Sequence, residues 1–433
     1  MLLLTAVTTV TVAKAQREHK MTVDELFQLV ESNSKTLLSE KISVEFAQKG
    51  IEAARSARLP ELVASASVSL NGDVLITDRD FTNAQGFAAP RWGNSLAVEA
   101  QQVVYAGGAI DAGIRTAELQ ARQASVSEQQ RRQQQRFLAL GQYLEIYKLQ
   151  RREQVYELNI RLTQRLIDDV KAKHQQGMAL RNDVTRYELQ METLRLGLKK
   201  LQDQRAIQNH QLCNQLGLSE GILVAPDSAS VFSYLPATDN AQLNSWQTEA
   251  LACSPSIQQS EVRQEMAREG VRLAKSMQLP KVAIVAADNF AGPFTYDIPP
   301  LDKNINYWYV GLGVKYPISA LFKQNKKVQQ ARIRTRQAEQ QHAVVAEQLN
   351  NQVQQAWTYY QQAFVELETQ QKSVQLARQN YEVVNERYLQ QLALITDMID
   401  AQNTKLNAEL NESDARIGIV YAHYRLKFIA GTL

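Results

Sequence analysis

The sequence predicts an α+β fold, mainly α, built as two tandem repeats that each hold a pair of long helices and a β-hairpin. Three observations predict it. Glycine and proline are scarce, 18 and 10 of 433 residues, about half their usual share, so turns are few and elements long. The chain aligns with itself at a long, nearly constant offset, which marks a duplication. Within each copy a short region alternates apolar and polar residues with the strand period of two.

Composition excludes several classes. Lys+Arg is 48 against Asp+Glu 45, a net charge of +3, too even for a nucleic-acid partner. Mean hydropathy is −0.35, so the chain has no overall membrane character. HExxH, GxSxG, Walker and GxGxxG patterns are absent, so no enzyme activity, cofactor or metal is expected. Cys213 and Cys253 form no CxxC knuckle; they could pair in an oxidising compartment or remain free thiols. The five histidines, among them His174, His210, His342 and His423, fall singly on polar helices and read as solvated.

Met1 to Ala15 is apolar and ends in Ala13-Lys14-Ala15, the small-x-small pattern of a secretory signal, with Gln16 as the first mature residue. Beyond it no run of apolar residues is long enough for a transmembrane helix. An exported chain of this kind is periplasmic, secreted or an outer-membrane barrel.

The duplication is read residue by residue. Ile51 to Pro60 aligns with Val271 to Pro280 at an offset of 220, as do Glu45, Ala47 and Gly50 with Glu265, Ala267 and Gly270. From Ala117 onward the offset is 214 and reaches Ala179, Leu180 and Asp183 opposite Ala393, Leu394 and Asp397 without an indel. A continuous helix imposes that constancy. The change of offset falls where a loop absorbs insertions cheaply. Repeat one is 16–225, with its hairpin at about 61–105 and its long helices and tip at about 109–217; a linker follows at 226–240. Repeat two is 241–433, its hairpin at about 281–317 and its helices and tip at about 323–430.

Each repeat opens with a helix (Val23 to Arg58; Ala241 to Gln278) stopped before a proline. In the first hairpin Leu62, Ala64, Ala66, Val68 and Leu70 share a face opposite Ser65, Ser67 and Ser69, and Leu96, Val98 and Ala100 oppose Ser95, Glu99 and Gln101. The second has Trp308, Val310, Leu312 and Val314 opposite Tyr307, Tyr309 and Lys315. One apolar face per strand of about ten residues is the pattern of a transmembrane barrel. Leu62, Val68, Leu70, Leu96, Val98, Trp308, Val310 and Leu312 are the expected lipid-facing residues.

Ala109 to Gln176 and Lys323 to Gln390 then run without proline, each roughly 100 Å long at the helix rise. On the first arm one stripe carries Phe137, Leu140, Leu144, Val155, Leu158, Leu162 and Leu166. A second, about 120° away, carries Leu138, Leu149, Tyr156, Ile160 and Ile167. Two seams mean neighbours on two sides, as in a ring of helices. The arms turn at Gln176 to Asp183 and Gln390 to Asp397. Each turn has an apolar patch, then a helix start capped by Asn182 or Thr396 with Asp183 or Asp397 in its first turn.

Four strands cannot close a barrel, and open edges are not viable in lipid. Sister chains must complete it. Three copies would give twelve strands on a ring of helices, a duct through the outer membrane and across the periplasm.

These residues resemble the TolC-like outer-membrane factors. The resemblance is carried by the duplicated Ala-Arg/Lys-Ser-x-x-Leu-Pro, by Tyr105-Ala106-Gly107-Gly108 and by the tips ending in Asp183 and Asp397. It implies a homotrimer with a twelve-stranded barrel on a helical tunnel, in the outer membrane of a Gram-negative bacterium, reaching into the periplasm. It also implies a periplasmic adaptor (membrane fusion) protein docked on the tips and an inner-membrane transporter as partners. The family's Val-Gly-Leu tip motif maps to Gln176-Gly177-Met178 and Gln391-Leu392, and the second copy lacks the glycine. Adaptor docking is thereby expected at Gly177, Met178, Ala179, Leu180, Leu392, Ala393 and Leu394. The family's gating aspartates match Asp397 and Asp400, with Asp183 the equivalent acid of the first tip. Three copies would stack carboxylate rings that favour cations. The arginine that pairs with the family's gate has no counterpart at Ala393. The expected function is efflux of small toxic molecules. A type I protein or peptide secretion duct has the same fold, and a soluble periplasmic coiled-coil scaffold would need no alternation in the hairpins.

Overall fold

The computed structural model describes residues 17–219, 221–233, 243–295, 297–390 and 392–433. The signal segment 1–15, residues 234–240 of the linker and Gln391 lie outside them. In chain order the first repeat holds β1 (Arg17–Met21), α1 (Val23–Asn33), α2 (Lys35–Ser56), β2 (Glu61–Leu70), β3 (Val74–Ile76), β4 (Gln85–Phe87), β5 (Trp92–Tyr105), α3 (Ala109–Gln175) and α4 (Arg181–Leu216). Then come β6 (Ile222–Pro226), α5 (Ser228–Ser233), α6 (Leu243–Cys253), α7 (Pro255–Ser276), β7 (Lys281–Gly292), β8 (Ile305–Lys315), α8 (Ala320–Leu389) and α9 (Ile395–Ala430). β6 ends at Pro226, the first residue of the segment read as linker, and α5 lies within that segment. No helix among the described residues is long and apolar enough to cross a membrane. The described residues divide into two compact units, one drawn from 43–125 and 259–343 and the other from 1–42, 126–258 and 344–433.

The first unit is built on one antiparallel sheet in the order β2-β5-β7-β8. Its registers carry the duplication: Glu61 lies opposite Gln101 and Lys281 opposite Lys315, the same pairing displaced by 220 and 214. The rows Leu62–Ala100–Ala286–Val310 and Ala64–Val98–Asp288–Trp308 run across all four strands. Period-two alternation therefore places the eight expected lipid-facing residues on one face. Each is more than half exposed. Asp288 interrupts that face between Val98 and Trp308. The other face is small or polar, with rows such as Ser65–Ala97–Asn289–Tyr307. A short hairpin of β3 and β4 stands inside the first loop.

The elbow from β5 into α3 needs glycine for two separate reasons. Gly107 and Gly108 both have positive φ, +63° and +84°. A Cβ on Gly107 would also lie 2.8 Å from Leu279 Cβ and from the Ser276 carbonyl oxygen, whereas one on Gly108 meets nothing within 4 Å. Gly107→Ala should therefore cost about 2–4 kcal/mol, strain plus overpacking. Gly108→Ala should cost only the dihedral term, about 1–2 kcal/mol. Urea titration of both variants in detergent checks the order.

The second unit is helical. The expected opening helices are each broken, at Ser34 between α1 and α2 and at Ser254 between α6 and α7. Pro255 disfavours helical backbone at Ser254. Ser34 is the equivalent of Ser254 at offset 220 and has extended backbone, ψ 115°. Its hydroxyl accepts from the Leu37 N–H at 3.4 Å. β1 and β6 form a parallel pair held by Asn209, whose amide donates to the Ile222 carbonyl at 2.7 Å and accepts from the Val224 N–H at 2.8 Å. Tyr143 is fully buried beneath, its hydroxyl donating to the Met21 carbonyl at 2.7 Å. Both repeats end alike: Gly217 and Gly431 take positive φ, and the next N–H bonds back to the Cys213 or Lys427 carbonyl. On α3, Leu140, Leu144, Leu149 and Ile167 are buried as the two-stripe pattern requires, while Leu138 and Leu158 are exposed. His423 is not solvated; it is buried against Trp246, Tyr360 and Tyr424. Cys213 and Cys253 are free thiols.

Candidate functional site: the paired helix tips

At the first tip Gly177, with φ +74°, ends α3, and the Met178 N–H bonds back to the Lys173 carbonyl at 2.8 Å. The His174 ring reaches the Ala179 carbonyl at 2.9 Å. At the second tip the Leu392 N–H bonds to the Arg387 carbonyl at 2.7 Å. That is the same closure displaced by 214, made without the glycine.

The helices that leave the tips are capped differently from the sequence expectation. Leu180 and Leu394, not Asn182 and Thr396, hold the N-cap position, with extended backbone at φ −80°, ψ 150° and φ −81°, ψ 156°. A leucine side chain cannot accept a hydrogen bond. The cap comes instead from three residues on: Asp183 Oδ2 accepts from the Leu180 N–H and Asp397 Oδ2 from the Leu394 N–H, both at 3.1 Å. This half of a capping box also places a carboxylate against the positive end of the helix. Asp400 lies one turn further along α9, exposed, with no ion pair among the described residues.

The apolar tip residues point outward. Met178, Leu180, Leu392 and Leu394 are all more than half exposed; Ala179 and Ala393 are half-buried. Under them sits a shared core of Ile167, Val170, Val184, Tyr187, Met191, Ile395 and Met398. The structure thus brings the two tips onto one core, which spacing alone does not state. Tyr187 is fully buried, and burial pushes its phenol well above the ordinary value. Lys173 stands 5.1 Å over the Tyr388 ring and Lys405 4.5 Å over Tyr381.

Behind the tips, polar side chains tie α9 to three other helices. Gln402 donates to Thr163 of α3 at 2.6 Å in a buried contact, and Gln190 of α4 donates to Asn403 at 2.7 Å. Arg378 of α8 donates twice to Glu409, and the Arg152 guanidinium of α3 donates to both carboxylate oxygens of Asp414. Sequence reading missed these ties. Among the described residues no group of His, Cys, Asp and Glu could hold a metal ion.

The fold is similar to those of solved outer membrane proteins. VceC, an outer membrane protein of Vibrio cholerae, is 15% identical; the match covers 94% of this chain and 96% of that one with a TM-score of 0.75. The CmeC outer membrane channel of Campylobacter jejuni gives 14%, 95%, 85% and 0.75. CusC, whose structures address transmembrane channel formation, gives 16%, 95%, 92% and 0.79. At such identities the likeness shows the fold alone. No curated protein matches the sequence. The model of the outer membrane efflux protein family matches residues 26–218 and 246–432, nearly the whole of both repeats, and on that match the chain belongs to the outer membrane efflux protein family.

Proposed function

We propose that the chain is the outer-membrane duct of a tripartite efflux pump of a Gram-negative cell. Three copies close one barrel, and their helices continue it as a tunnel into the periplasm. A periplasmic adaptor docks on the tips and opens them for small toxic molecules handed over by an inner-membrane transporter. The observation that carries this reading is the open sheet: among the described residues β2 and β8 each pair on one side only, and every residue of β2 is exposed. Unpaired N–H and C=O groups in hydrocarbon cost several kcal/mol each, so such a sheet is viable in a membrane only when its edges are joined. Four strands from each of three chains reach the size of known outer-membrane barrels.

In that assembly Asp397 and Asp400, three residues apart on α9, form two stacked carboxylate rings at the narrow end. Asp183, which caps α4 in the same way, adds to the negative field. Carboxylate rings hold cations and repel anions. Asp397→Ala combined with Asp400→Ala should raise single-channel conductance and weaken block by multivalent cations in a planar bilayer. Unchanged conductance and block would remove the gate, and recovery of the wild-type protein wholly in the soluble periplasm would remove the duct.

A further inference from the structure

The second repeat carries a cationic groove that the first does not. We propose that this groove, between α7 and α8, binds organic anions that combine one acidic head with an apolar body. The site lies within a single chain and goes beyond the duct reading, which rests on the sheet.

The groove encloses about 1040 Å³, the size of sites that take small organic molecules. Two contacts fix its walls. The Thr335 hydroxyl donates to the Ala267 carbonyl at 3.3 Å, and Ser260 Oγ lies 2.7 Å from His342 Nδ1. α7 and α8 therefore run antiparallel, with the groove along their line of contact. Gly270 leaves its middle open, since even a Cβ there would meet nothing within 4 Å.

Arg263, Lys327 and Arg334 line the groove. Lys327 and Arg334 stand two turns apart on α8, about 10 Å. The antiparallel register sets Arg263 roughly 8 Å further along. All three are exposed, and none has an ion partner among the described residues. No acid is among the lining residues described. The acids on these stretches of helix are already paired, Glu265 with Arg115 and Arg122, Glu269 with Arg272 and Glu339 with Arg268. Between the cations the wall is apolar, with Met266, Leu273 and Ala331, and Leu273 is 38% exposed. Like charges set around an uncovered apolar strip attract an anion and give its hydrocarbon a place out of water.

The fold does not require these cations. The offsets of 220 for α7 and 214 for α8 convert Arg263, Lys327 and Arg334 into Ser43, Gly113 and Gln120 of the first repeat. The same pair of helices is thus built there without any of the three charges. What the charges add is recognition of an anion.

The test uses the full-length protein in discs of zwitterionic lipid, with empty discs subtracted. The probe is anilinonaphthalene sulfonate, read by its fluorescence; phenylnaphthylamine supplies the same aromatic body without the charge. The wild type should bind the sulfonate saturably. Arg263→Gln, Lys327→Gln and Arg334→Gln together should weaken that binding about tenfold or more, each cation giving about a two- to fivefold share. The uncharged compound should bind the triple variant and the wild type equally. Gly270→Leu keeps every cation and suits a helix better than glycine, yet it fills the groove and should weaken the sulfonate severalfold. Inorganic phosphate at the same concentration should displace little of the probe. No saturable binding, or undiminished binding by the triple variant, overturns the proposal. Equal loss of both compounds overturns the role of charge, undiminished binding by Gly270→Leu overturns the groove as the place, and ready displacement by phosphate overturns the apolar part. Single-channel conductance of the wild type reads the duct separately, so either reading can fail without the other.

Discussion

Val310→Arg should keep the protein out of the outer membrane. Val310 lies mid-strand in β8, in the row Leu62–Ala100–Ala286–Val310 of the apolar face, and is 66% exposed in the single chain. An arginine on the lipid face near the bilayer midplane costs about 2–4 kcal/mol. In the proposed three-chain barrel every copy would carry the charge, a loss of about 6–12 kcal/mol, as much as the whole stability of an ordinary fold. Ser65→Arg is the matched control. Ser65 belongs to the small and polar face, where the same charge would meet water in the lumen. That variant should insert and assemble normally, with altered conductance. Flotation of membranes together with the yield of detergent-resistant oligomer separates the two outcomes. Normal insertion of Val310→Arg would mean that the apolar face does not meet lipid.

The pattern of what was legible in the sequence has physical causes. A strand with one face in oil and one in water must alternate, and that is why the faces of β2 and β8 could be assigned before their partners were known. A long helix tolerates no insertion, so the offset of 214 survives from the sheet registers through the tips to the caps at Gly217 and Gly431. Features that depend on distant chain were not legible. β1 is five residues, Arg-Glu-His-Lys-Met, polar by any scale, and becomes a strand only because β6 lies beside it some 200 positions later. The break at Ser254 was signalled by Pro255, and offset 220 carries it to Ser34; reading one repeat through the other would have found both. At the tips, Asn182 and Thr396 are good capping types. Yet an acid three residues beyond the turn reaches back to the leucine N–H and wins the position. Nothing in the sequence sets Thr163, Gln402, Asn403 and Glu409 apart from the other polar residues of their helices. Only the crossing of α9 against α3, α4 and α8 turns them into ties.

Leu180→Asp with Leu394→Asp should abolish export while the channel itself stays intact. These leucines are 71% and 69% exposed, so the fold gains little from their side chains, and the core of Ile167, Val170 and Tyr187 beneath them does not include them. Each N-cap is made by a backbone N–H and the carboxylate of Asp183 or Asp397, and aspartate is itself a favoured N-cap residue. Helix content and oligomer yield should therefore match the wild type. Docking is another matter. Burying a leucine against a partner is worth about 1.5–3 kcal/mol, and two tips in each of three copies would lose six such anchors and place six unpaired carboxylates in the contact. Cells carrying the variant should show the drug sensitivity of cells without the gene, with normal amounts of protein in the outer membrane and normal conductance in a bilayer. The single variants should rank the two tips, and the second should suffer more from Leu394→Asp because it closes without the glycine that shapes the first. Full resistance in the double variant would show that the adaptor couples to some other surface, and the exposed leucines would then need another account.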